Sequence, residues 1–288
     1  MRNKTQFIHL CFILSAVFCA LVLTVLRSIA LLLHFAPGGN YYSDPTLPVI
    51  FLVLLLLFVV LCLVFSRELR SFFVVSAEYR DMPTLFSSAF AAVVMVFLGI
   101  SLFLKTDAGA PAVSVLAVLS ALAALGSSAY FLCRIFTRST QSVPMAMLAL
   151  FPSAFGLLYG FYFYFERERM INDPNKLLAC VSLLLVSFLF LSESRVALGR
   201  GRWSLTTGLT LLTMVFCASL SLPNLIYHAV KAEPLLSNTV ADFAFFAFFL
   251  FAAARAAAVF SAARYEGTGE FRYAAEDPSP ENDKGDQA

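Results

Sequence analysis

Residues 47–65 read LPVIFLVLLLLFVVLCLVF. Between Leu52 and Val60 every position is apolar, and polar residues never alternate with apolar ones. A helix needs about 20 such residues to cross a hydrocarbon core of ~30 Å. A closed β-barrel is the other spanning architecture, and it would show segments of about ten alternating residues. The stretch therefore reads as a transmembrane helix. Working outward, the same reading recurs at Phe7–Phe35, Thr84–Leu104, Ala112–Phe136, Met145–Phe165, Leu177–Leu191, Trp203–Leu222 and Thr239–Ala263. The predicted fold is all-α and integral to a membrane, a bundle of eight transmembrane helices. The sixth stretch is short and is expected to begin at Pro174, because a first helical turn does not miss the proline N–H. The first is long and is expected to tilt or to rise above the bilayer. Pro223-Asn224 reads as the end of the seventh helix.

Composition agrees. Of 288 residues, 60% are hydrophobic and 13% charged, with 31 Phe and a single Trp. A soluble domain carries about 25% charged residues, and so large an apolar surface has no place in water.

Lys and Arg set the orientation. One set of ends carries Arg2, Lys4, Arg67, Arg70, Arg80, Arg134, Arg138, Arg195, Arg200, Arg202, Arg264, Arg272 and Lys284. The opposite loops carry Lys105, Arg167, Arg169, Lys176 and Lys231. Both termini are therefore expected in the cytoplasm, in a cell membrane of bacterial type. An even number of spans requires the same sidedness for the two ends. The first span is too long for a signal-peptide core and is expected to stay attached.

The expected organisation is a transmembrane domain over residues 1–264 and an acidic, disordered cytoplasmic tail over 265–288. The tail holds too little apolar surface to order itself. The connection Ser66–Pro83 has room for an interfacial amphipathic turn. All six Cys fall within spans and read as small packing residues.

Weak landmarks suggest a parallel 4+4 duplication with halves 1–140 and 141–264. Asp44-Pro45 is echoed by Asp173-Pro174, Glu68-Leu-Arg70 by Glu193-Ser-Arg195, and Met95-Val-Phe97 by Met214-Val-Phe216. Internal symmetry of this kind marks many transporter folds.

Charges inside spans are the default pointer to function. Arg27 lies far enough along its span to reach the outer interface, and Arg255 lies near the inner face, so both are expected to snorkel. Asp242 is expected to sit at a helix N-terminus, where the dipole favours a carboxylate. That leaves the Glu-x-Arg pairs, Glu68 with Arg70 and Glu193 with Arg195, as a candidate gate or headgroup site. The competing reading is interfacial Arg anchoring beside a neutralising Glu, and it is the more economical one. A candidate polar pathway comprises Pro152, Thr206, Thr210 and Thr213. The threonines share one helix face, and Pro152 precedes Gly156 and Gly160 on a span fit for close packing. Hydroxyls bonded to their own helix are the simpler explanation. The run from Tyr159 to Phe165 reads as an aromatic belt.

No metalloprotease, phosphate-loop, nucleophile-elbow or dinucleotide motif occurs, so the expectation is no enzyme and no cofactor. The basic ends are too sparse for nucleic acid. Expected partners are the lipid bilayer and a membrane protein or second copy. Two roles follow: a non-catalytic membrane component (accessory, regulatory or scaffold subunit), and as alternative a permease for a neutral or lipid-like small molecule.

Overall fold

The computed structural model describes residues 2–36, 41–68, 82–104, 111–137, 142–166, 173–198, 203–231 and 239–268. Each expected span is a helix: α1 (Arg2–His34), α2 (Thr46–Glu68), α3 (Met82–Leu104), α4 (Pro111–Phe136), α5 (Val143–Phe165), α6 (Pro174–Ala197), α7 (Trp203–Lys231) and α8 (Thr239–Thr268). All eight are long and apolar enough to cross a membrane. Between α1 and α2, β1 (Phe35–Ala36) pairs antiparallel with β2 (Tyr41–Tyr42), with Phe35 opposite Tyr42.

Local chemistry sets several boundaries. Asp173 caps α6 by accepting from the Asn175 N–H, with Pro174 at the first position as the sequence predicts. Ser142 caps α5 by accepting from the Met145 N–H. Asp44 accepts from the Thr46 N–H (2.9 Å) and hydroxyl (2.7 Å) ahead of α2. Those two bonds hold its carboxyl below the usual carboxylate range.

Several helices outrun the expected spans: α1 begins at Arg2 rather than Phe7, and α6 ends at Ala197 rather than Leu191. The seventh helix does not stop at Pro223 but runs on to Lys231, for a reason given below. The eighth continues to Thr268, so Tyr265–Thr268 belong to the helix rather than to a tail. Residues 269–288, and 69–81 of the Ser66–Pro83 connection, lie outside the described residues.

Two packed clusters share α8. One joins α3, α4, α5, α6 and α8, with Cys217 and Leu220 of α7. Its centre is a set of rings: Phe131 of α4, Phe190 of α6 and Phe251 of α8 lie 5.3 to 5.7 Å apart by centroid. The other cluster packs α1 and α2 against α7. The two extremes are α7, whose span is 78% buried, and α2, 17% buried. Thus α2 is an outrigger held only along one side.

The expected aromatic belt divides between two helix faces. Phe161, Tyr164 and Phe165 are exposed, whereas Tyr159, Tyr162 and Phe163 are core. Tyr159 stacks on both Phe155 (5.1 Å) and Tyr162 (5.7 Å). The 3.6-residue period forces this split on any continuous aromatic run.

At the α5–α6 contact the two helix backbones approach closely. A Cβ on Gly156 would lie 2.6 Å from the Leu183 carbonyl oxygen and 2.9 Å from the Ser187 N, both backbone atoms of α6. A Cβ on Gly160 would meet only the Leu183 Cβ, at 3.7 Å. Gly156→Ala is therefore expected to destabilise the bundle by about 1–3 kcal/mol, the usual cost of overpacking, while Gly160→Ala is tolerated. Thermal unfolding of the two variants in one detergent checks this; equal midpoints would refute the contact.

Candidate functional site

Arg27 does not snorkel. It is 3% exposed and turns inward from α1. Its Nη1 donates to the carbonyl oxygens of Ser219 (2.5 Å) and Leu220 (2.8 Å) on α7. Its Nη2 donates to Asn175 Oδ1 on α6 (2.8 Å) and Asn224 Oδ1 on α7 (2.8 Å). Tyr42 of the hairpin accepts another bond. This explains α7. Pro223 has no N–H to give the carbonyl four residues back, which is that of Ser219. The guanidinium supplies the missing donor, so the helix continues through a residue that reads as a stop.

The network extends to α8. The Asn224 Nδ2 donates to Asp242 Oδ1 (2.7 Å), so an amide relays between the Arg27 charge and a carboxylate. Asp242 is fully enclosed; its role is this bond as well as the helix N-terminus expected for it. Close by, Lys176 is buried and donates to the Glu166 carbonyl oxygen (2.7 Å). Burial also raises the Tyr42 phenol above its ordinary pKa, opposed by the adjacent Arg27 charge.

A second charged group lies at the opposite end of α6. Arg255 does not snorkel either. Its Nε and Nη2 grip Glu193 Oε1 and Oε2 at 2.9 and 3.1 Å. Arg134 of α4 lies 3.8 Å from the same carboxylate, donates to the Tyr130 hydroxyl (2.8 Å) and stands 5.0 Å above the Phe251 ring. All three charged side chains are buried. A carboxylate shared by two guanidiniums ties α4, α6 and α8 together. Beside it, the Ser194 hydroxyl donates to the Ala146 carbonyl oxygen of α5 (2.8 Å).

The Glu-x-Arg reading therefore changes partners. Glu193 pairs with Arg255 and Arg134, while Arg195 is exposed on the other face of α6. Two residues apart on a helix, Glu193 and Arg195 point in different directions. Glu68 ends α2, and its side chain and all of Arg70 lie outside the described residues. Pro152 is buried within α5 next to Ser153, whose hydroxyl donates to the Ser187 carbonyl oxygen of α6 (3.0 Å). Thr206, Thr210 and Thr213 are buried. Thr206 bonds the Ser192 hydroxyl (2.5 Å), and Thr210 donates to the Thr206 carbonyl oxygen (2.8 Å). None of these four residues lines the groove between α2 and α6, nor the small cleft beside Glu193, Arg134 and Tyr130.

The larger cavity, about 600 Å³, is a side groove between α2 and α6 with α1 and α7 as its floor. Its walls are apolar, and Arg27, Tyr42 and Asn175 stand at one end. Asn175 was missed by sequence reasoning, as were Asn224, Tyr42 and Tyr130. The available signal was Arg27 itself, a cation inside an apolar span, together with Pro223. Among the described residues no three His, Cys, Asp or Glu side chains group as metal ligands. Comparison with protein-family models, with curated proteins and with solved structures finds no match.

Removing one partner of a buried ion group strands the others, at about 3–5 kcal/mol. Glu193→Leu strands two guanidiniums and should cost that much. Arg255→Leu leaves Glu193 paired with Arg134 and should cost clearly less. Unfolding midpoints in nanodiscs give the order, and a larger loss for Arg255→Leu would contradict the shared pairing.

Proposed function

We propose that this chain is a multi-pass protein of the cell membrane, with both ends in the cytoplasm, acting as a non-catalytic component: an accessory, regulatory or scaffold subunit. The observation that carries this reading is the filled interior. Where α4, α6 and α8 meet, Phe131, Phe190 and Phe251 occupy the centre. The Glu193 group adjoins them at one end, and the Arg27 group gathers α1, α6 and α7 at the other. Such a body is suited to presenting helix faces rather than to carrying solute through itself. The sparsely supported α2, with Val53, Leu57, Val60 and Val64 all exposed, offers one face to a membrane-protein partner or a second copy.

A permease for a neutral or lipid-like molecule is the competing role. It gains nothing from Thr206, Thr210 and Thr213, whose positions are buried among helices. The 4+4 duplication behind it has mixed support. The packed pairs α1–α2 and α5–α6 correspond, as do α3–α4 and α7–α8, but α1 packs along α7 while α3 and α5, their counterparts, do not pair closely among the described residues.

Thiol labelling separates the two roles. Thr210→Cys and Thr213→Cys are placed in intact cells and treated with a membrane-impermeant maleimide, with the native protein as background. The accessory reading predicts no added labelling at either position from either side. Labelling that a solute competes away would establish a pathway instead. A cysteine introduced within 269–288 should react only after the cytoplasmic side is opened; reaction in intact cells would reverse the orientation.

A further inference from the structure

We infer that the side groove between α2 and α6 binds one acyl chain of an ester-linked membrane lipid, with Asn175 donating a hydrogen bond to its ester carbonyl. The site does not depend on the role proposed above.

Three observations carry it. First, the polar end has an unused donor. Asn175 is 1% exposed and lines the groove, and its Oδ1 is occupied by Arg27. Its Nδ2 has no hydrogen-bond partner among the described residues. A buried amide left unbonded costs on the order of 1–3 kcal/mol, so an acceptor entering the groove recovers that cost. Tyr42 stands beside it. Its oxygen accepts from Arg27, and it lines the same end of the groove.

Second, the groove has the depth of one leaflet. Its lining runs from Pro48 to Leu56 on α2 and from Pro174 to Val181 on α6. At 1.5 Å per residue these spans are about 12 and 10 Å, against about 15 Å for half of a ~30 Å hydrocarbon core. Phe216 of α7 contributes to the floor. Beyond the polar end the lining is aliphatic and aromatic, and about 600 Å³ lies within the ~300–1,000 Å³ of ordinary ligand sites. Asn175 is the second residue of α6. That places its amide at the membrane boundary, where the ester groups of a bilayer lie.

Third, the charge behind the donors is already matched. Arg27 is saturated by four oxygens and Tyr42. Asp173 and Asp242 are close enough to act on it electrostatically. An anionic headgroup therefore gains little here. The feature recognised is the neutral carbonyl that every ester lipid carries, whatever its headgroup.

The test uses the full chain in phosphatidylcholine nanodiscs containing a trace of diester phosphatidylcholine with a diazirine midway along one acyl chain. Photolabelled peptides are then read by mass spectrometry. Labelling is expected to concentrate on 48–56 and 174–181, about fivefold above the exposed Phe86–Phe97 face of α3, a factor equal to one neutral hydrogen bond. Unlabelled diester lipid should compete several-fold better than its diether analogue, which lacks the carbonyl. Leu52→Trp with Val181→Trp, two half-exposed wall positions, should abolish the enrichment without altering the unfolding midpoint. Asn175→Asp keeps an acceptor for Arg27 and removes the donor, and should lower it as well. Labelling spread evenly over all exposed faces would overturn the site. So would equal competition by the diether lipid, or a disulfide between two copies through Leu52→Cys, which would put a protein helix in the groove.

Discussion

The Ser219 carbonyl oxygen has no donor in its own helix, because Pro223 stands four residues ahead of it. Without water, an unbonded carbonyl costs several kcal/mol. Arg27, reaching across from α1, bonds it at 2.5 Å. The same guanidinium reaches Asn175 on α6 and Asn224 on α7. One side chain thus makes a proline acceptable inside the most enclosed helix and fixes three helices in register. The exchange is mutual: the freed carbonyl is part of what makes a buried cation acceptable.

At the opposite end of α6 the logic is ionic. Glu193 is held by Arg255 and faced by Arg134, with the Phe251 ring beneath the second guanidinium. Buried ion groups of this kind add little net stability over an apolar core, but they penalise any arrangement that leaves one member alone. They therefore select one packing of α4, α6 and α8 among many that Leu and Phe surfaces permit. Of the helices that contribute to neither group, α2 is the least enclosed. Beside it, the bundle leaves a groove.

The helices were legible because an unbroken apolar run has one stable state in hydrocarbon. The Asp173-Pro174 cap was legible because its chemistry is local. Arg27 and Arg255 were misjudged because their distance along the span was counted while the face they occupy was not. Facing is a tertiary property: the partners of Arg27 on α6 and α7 lie 148 and 197 residues away. Pro223 was misread for the same reason, since the donor that rescues its helix comes from another one. The Glu193–Arg195 pair looked plausible in one dimension, but Glu193 pairs elsewhere and Arg195 is exposed on another face.

The central claim is that Arg27 and Pro223 depend on each other. A double-mutant cycle of Arg27→Met and Pro223→Ala, followed by unfolding in nanodiscs, tests it. In the Pro223→Ala background Ser219 regains a donor from its own helix, so losing Arg27 should cost less than in the native chain, with a coupling of about 1 kcal/mol or more. Effects that add to within about 0.5 kcal/mol would contradict the account.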